Sequence, residues 1–113
     1  MNLTEQTEQK AGKGMTVATE KTGQNEVTQI LKDGTIVVLY NSTQVIVADP
    51  NSQTVDVFSG RWRGVDTTEF MNRSIERLHG ATGWVPLFRV SIGGGALRVV
   101  GGVKPDNVFF HDG

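Results

Sequence analysis

The chain has 113 residues, 37% hydrophobic and 20% charged, with a formal net charge of −1 and no Cys. That length suits one domain rather than two, and the absence of Cys excludes disulfides and thiolate metal sites. No apolar run approaches the roughly 18 residues of a membrane-spanning helix, and Met1-Asn2-Leu3-Thr4-Glu5-Gln6 lacks the basic start and apolar core of a secretion signal. The expectation is a cytoplasmic protein without a membrane partner.

Residues 1–25 combine Thr, Glu, Gln, Lys and Gly with scattered Leu3, Met15, Val17 and Ala18, in no period of 2 or 3.6. Such a segment buries too little apolar area to offset the entropy of ordering it. It reads as a disordered polar tail, with an edge strand near Met15–Thr19 as the alternative. The domain is then expected over 26–113.

Val27, Gln29 and Leu31 share one face of an extended segment and Ile30 takes the other. Asp33-Gly34 suits a two-residue hairpin turn. Thr35-Ile36-Val37-Val38-Leu39-Tyr40, continuously apolar and β-branched, reads as a central strand covered on both faces. Asn41-Ser42 interrupts it, and Thr43–Ala48 forms the next strand. Asp49-Pro50-Asn51-Ser52 is a turn with Pro at its second position. Val55 and Val57 then alternate with Thr54, Asp56 and Phe58.

One helix is expected from Asp66. Asp66 and Glu69 stand at capping-box spacing. Met71, Ile75 and Leu78 fall at i, i+4 and i+7, a buried stripe flanked by Phe70 or Ser74. Glu69 and Arg73 are spaced for an outward ion pair. Gly80 is placed for a left-handed C-cap, which makes the helix about three turns long.

Beyond it, Trp84–Ile92 reads as a strand that Pro86 moves to a sheet edge or delays past residue 86. Gly93-Gly94-Gly95 turns the chain into Ala96–Val100, and Val108-Phe109-Phe110 has the composition of a short last strand. The fold class is α+β: an antiparallel, strongly curved sheet of five to seven strands with one helix on one face, in the order β-β-β-β-α-β-β. One helix cannot cover both faces of such a sheet. The second face closes by curling into a barrel-like form or against another subunit, so a homodimer is one of the two expectations.

Little in the chain points to catalysis. Gly12-Lys13-Gly14-Met15-Thr16 lacks the spacing and the hydroxyl residue after Lys that a phosphate loop requires. Two His, His79 and His111, make a metal site hard to assemble. His79 fits more simply as a last-turn residue beside the helix dipole. Ser59, Ser74 and Ser91 lie in no nucleophile elbow. No enzyme activity and no cofactor are expected.

Charge is divided unevenly. Residues 1–56 hold four Lys and no Arg against seven acids, and residues 57–113 hold six Arg and one Lys against five acids. Arg61, Trp62, Arg63, Arg73 and Arg77 fall within one short stretch. Guanidinium groups around an aromatic ring grip acidic partners or form the hot spot of a protein interface. They can also hold phosphates while the ring stacks on a base. The plainer role is structural, with Trp62 capping the core and the Arg stems covering apolar surface. The five residues are the expected binding site, for a protein first and a nucleic acid second.

The hairpin over Ile36–Val47, then Trp62, then Thr67-Thr68-Glu69-Phe70-Met71-Asn72 resembles a small uncharacterised domain found in hypothetical proteins of phages and prokaryotes. The likeness spans residues 35–80. It implies a phage or mobile-element origin and brings no activity, cofactor or catalytic residue with it. The host or viral protein expected as partner rests on the small size, the polar tail and the Arg/Trp cluster.

Overall fold

The structure, a computed structural model, describes residues 16–60, 65–93 and 96–112. Five strands come first: β1 (Thr16–Gly23), β2 (Glu26–Leu31), β3 (Ile36–Tyr40), β4 (Thr43–Asp49) and β5 (Thr54–Gly60). A single described helix follows, α1 (Val65–Thr82), and then β6 (Val90–Gly93), β7 (Ala96–Val99) and β8 (Val108–Asp112). The class is α+β.

The main sheet has six strands in the order β1-β2-β3-β4-β5-β8. Its first five strands pair antiparallel, but β8 lies parallel to β5. The sheet is therefore mixed, which corrects the purely antiparallel expectation and the order β-β-β-β-α-β-β. Consecutive strands joined by short turns must reverse direction, whereas a long excursion allows the chain to return in the same sense. Here α1 and the β6–β7 hairpin supply that excursion. This hairpin is a two-stranded sheet of its own.

Four turns set the register of the first five strands. Between β2 and β3 the expected two-residue turn is replaced by Lys32-Asp33-Gly34. The Leu31 amide donates to the Thr35 carbonyl at 2.8 Å, and the Gly34 amide donates to the Leu31 carbonyl at 2.9 Å. Only Gly34 takes a positive φ, 92°, and the Asp33 carboxylate accepts the Thr35 amide at 3.0 Å. A β-turn followed by a left-handed glycine is the usual three-residue hairpin solution. Asn41 and Ser42 both take positive φ, 49° and 69°, as the tightest two-residue hairpin demands. In the turn after β4, the Asp49 carboxylate accepts the Asn51 amide at 2.9 Å.

Thr16–Gly23 lies inside the segment read as a tail and forms an edge strand paired with β2, in line with the alternative of a strand near Met15–Thr19 and extending past it. Its residues from Val17 to Lys21 are all exposed. Backbone pairing and the Gln24-Asn25 turn, with Asn25 at φ 63°, hold it in place. An apolar period could not have revealed it. Residues 1–15 lie outside those described.

The helix is 18 residues long, longer than expected at its C-terminal end. Gly80 sits inside it, and the left-handed cap falls on Gly83, at φ 76°. The Gly83 amide donates to the His79 carbonyl at 3.0 Å, the single bond of a left-handed cap. Thr82 reinforces this end: its hydroxyl donates to the Leu78 carbonyl at 2.8 Å and accepts the Val85 amide at 3.1 Å. The Asp66 side chain of the expected capping box lies outside those described.

Phe70, Met71, Ile75 and Leu78 are all buried and pack with Val38, Val45, Ile46, Val55, Val57 and Val108 on one face of the sheet. The expected stripe is thus the helix's inner face. The pairing of β3 with β4 shifts register between Val38 and Leu39, so that both Val45 and Ile46 join this core. On the other face, Leu31, Val37, Leu39 and Val47 form a second cluster with Val27 and Phe58. Val37 and Leu39 are buried within one chain, as expected for a doubly covered central strand, and their burial requires no second copy.

Candidate functional site

On β2 the alternation of side chains runs against the rest of the sheet. Val27 and Leu31 join the far cluster, which leaves Glu26 and Thr28 facing α1. Glu26 is 4% exposed, and a buried carboxylate is tolerated only when paired and hydrogen-bonded. Arg77 of α1 supplies the pairing: its Nη2 lies 3.1 Å from Glu26 Oε2 and donates to the Thr28 hydroxyl at 2.9 Å. Thr22 of β1 donates its hydroxyl to the same carboxylate oxygen. The Ser74 hydroxyl lies 3.5 Å from Oε1, and the Thr22 and Thr28 hydroxyls are 2.9 Å apart.

Three elements therefore converge on one carboxylate. A cleft of about 410 Å³ opens over them, lined by Thr22, Glu26, Arg73, Ser74, Glu76 and Arg77. Two further clefts adjoin it along the helix. One is lined by Glu69, Asn72, Arg73, Glu76 and Arg89, and the other by Gln24, Asn25, Tyr40, Glu69, Phe70 and Arg73. Arg73 lines all three. It is exposed, and among the described residues no ion pair joins it to Glu69, contrary to the spacing-based expectation. Exposed pairs of this kind gain little once side-chain entropy and hydration are counted.

Of the five residues expected to bind, Arg73 and Arg77 lie in one cleft. They differ in state, because Arg77 is committed to Glu26 and Thr28 while Arg73 has no such tie among the described residues. Arg61, Trp62 and Arg63 lie outside the described residues, in the segment leading to α1. Thr22, Glu26, Thr28, Asn72 and Arg89 were not among the expected site residues. The polar residues alternating with Val27 and Leu31 were the available signal for Glu26 and Thr28. Thr22 gave none, because the edge strand offered as the alternative near Met15–Thr19 stopped short of it.

Asn72 is buried in the helix and grips β6 through both ends of its amide. Its Nδ2 donates to the Val90 carbonyl at 3.1 Å, and its Oδ1 accepts the Val90 amide at 2.8 Å. The two His serve local purposes. His79 Nδ1 lies 2.8 Å from the Val85 carbonyl oxygen, closing the turn after the helix. His111 pairs with Asp56 at 2.8 Å and stacks on Phe58 with centroids 4.5 Å apart.

Among the described residues, no group of three or more His, Asp or Glu is placed to hold a metal ion, and no helix is long and apolar enough to cross a membrane. No protein-family model, curated protein or solved structure matches the chain.

Proposed function

We propose that the chain is a non-enzymatic binding protein that docks another protein, of host or viral origin, on the face of α1 carrying Arg73. The observation behind this reading is Arg73 itself, an exposed guanidinium with no ion pair among the described residues, shared by three adjoining clefts. An arginine with a free planar fork beside concave surface has the chemistry of an interface anchor. Arg61, Trp62 and Arg63 precede the helix in the chain and extend the same proposal toward its start.

The test is capture of partners from a host lysate by the full chain, compared with Arg73→Ala and with the double change Trp62→Ala, Arg63→Ala. Each variant should lose the bound protein. Arg73→Ala should unfold within about 0.5 kcal/mol of the parent, as exposed and unpaired sites do. Undiminished capture by Arg73→Ala would end the proposal.

A nucleic-acid partner is the second reading, and the tie between Arg77 and Glu26 weighs against it by removing one cation from the contact set. It requires oligonucleotide affinity that falls steeply with salt. Absence of binding to single- and double-stranded probes at low salt eliminates it.

A further inference from the structure

We infer that Arg73 and Arg89 form a two-guanidinium clamp for a carboxylate presented by an acidic segment of the protein partner. This deepens the binding reading above and rests on it. Arg73 follows Asn72 in the helix, and Arg89 precedes Val90 in the chain. The paired hydrogen bonds of the Asn72 amide to Val90, at 3.1 and 2.8 Å, therefore fix the backbones that carry the two arginines beside each other. The Arg89 carbonyl is held in turn by the Val100 amide at 2.9 Å.

Both arginines are exposed and both line the same cleft. Among the described residues, neither makes a side-chain hydrogen bond or ion pair. Two like charges on one rim repel unless an anion lies between them, and a carboxylate matches the guanidinium fork with paired hydrogen bonds. Glu69 and Glu76 border the same cleft. They soften the repulsion in the free protein and repel a long polyanion more than a short acidic segment, which favours the segment over a phosphate backbone. Fixing the two backbones before binding removes part of the ordering cost of association, while the exposed side chains still order on contact.

The probe is an acetylated and amidated pentapeptide of three glutamates flanked by glycines, titrated into the full ¹⁵N-labelled chain at low salt. The Nε–Hε signals of Arg73 and Arg89 should move together. Affinity should fall about tenfold, the value of one charge-assisted contact, in Arg73→Gln and again in Arg89→Gln. Lys32→Gln, which removes a cation from the β2–β3 turn, should leave it unchanged. Arg89→Lys keeps the charge without the fork and should recover only part of the loss.

An equal response to inorganic phosphate or to oligothymidylate overturns the carboxylate assignment. An equal loss in Lys32→Gln reduces the effect to general charge and overturns the clamp. If Arg73→Ala loses the lysate partner while Arg89→Gln retains both partner and peptide affinity, the clamp fails and the binding reading survives.

Discussion

Glu26 and Arg77 retain very different amounts of water: the glutamate side chain is 5% exposed and the arginine side chain 35%. Removing either partner of such a pair is therefore not symmetrical. Arg77→Met keeps the aliphatic stem but strands a buried carboxylate among hydroxyl groups, which should cost about 3 kcal/mol. Glu26→Gln keeps an acceptor for Thr22 and leaves a guanidinium that water can still reach, so its cost should be nearer 1 kcal/mol. Urea unfolding of the two variants measures the difference, and an equal or reversed order would mean that the carboxylate is not the more dependent partner. Neither half of the pair was legible alone. Arg77 is one of several arginines in a basic half of the chain, and Glu26 is a single acid at the edge of a polar stretch. The 48 positions between Ser74 and Glu26 show how non-local the cluster is.

At the level of the element, α1 shows which signals in a sequence suffice. Apolar spacing identified its buried face because three side chains at helical intervals, Met71, Ile75 and Leu78, line one side of the helix. Its end was misplaced because both Gly80 and Gly83 suit a C-cap, and the choice between them depends on contacts with Thr82 and Val85 further along. Substitution separates the two glycines. A Cβ at Gly80 meets nothing within 4 Å, so Gly80→Ala should stabilise the helix interior by about 1 kcal/mol. Gly83→Ala must hold an L-residue at φ 76° and should cost about 1 kcal/mol. Thermal unfolding should move in opposite directions for the two variants. A loss of stability in Gly80→Ala would return the cap to that residue. The hairpins follow the same logic: strand composition and turn residues located β2 to β5, while the choice between two- and three-residue connections depended on the side chain of Asp33.

For the whole molecule, stability should grade across the sheet. β3 and β4 are paired on both sides and contribute to both clusters, whereas β1 pairs with β2 alone and exposes most of its side chains. Amide exchange should therefore be slowest in β3 and β4 and fastest in β1, where local opening disturbs few apolar contacts. Protection in β1 equal to that in β3 would show that the edge strand opens only with the entire domain. The α+β class was readable because strand-like runs cluster on both sides of one helical period. The parallel partner of β5 was not. The residues Val108-Phe109-Phe110 show that a strand exists, but no property of these three residues selects the edge they join or the direction in which they run.

The parallel seam between β5 and β8 also bears on how the molecule is made. Gly60 is paired with Asp112 and Val55 with Val108, so this seam cannot form until more than fifty further residues have been synthesised. Closing so long a loop adds an entropic cost that rises only with the logarithm of its length, but the delay is set by translation. During that interval β5 is an unprotected sheet margin on a nascent polypeptide, open to pairing with any other extended chain. A released chain truncated after residue 107 should thus aggregate or recruit a chaperone more readily than the full chain.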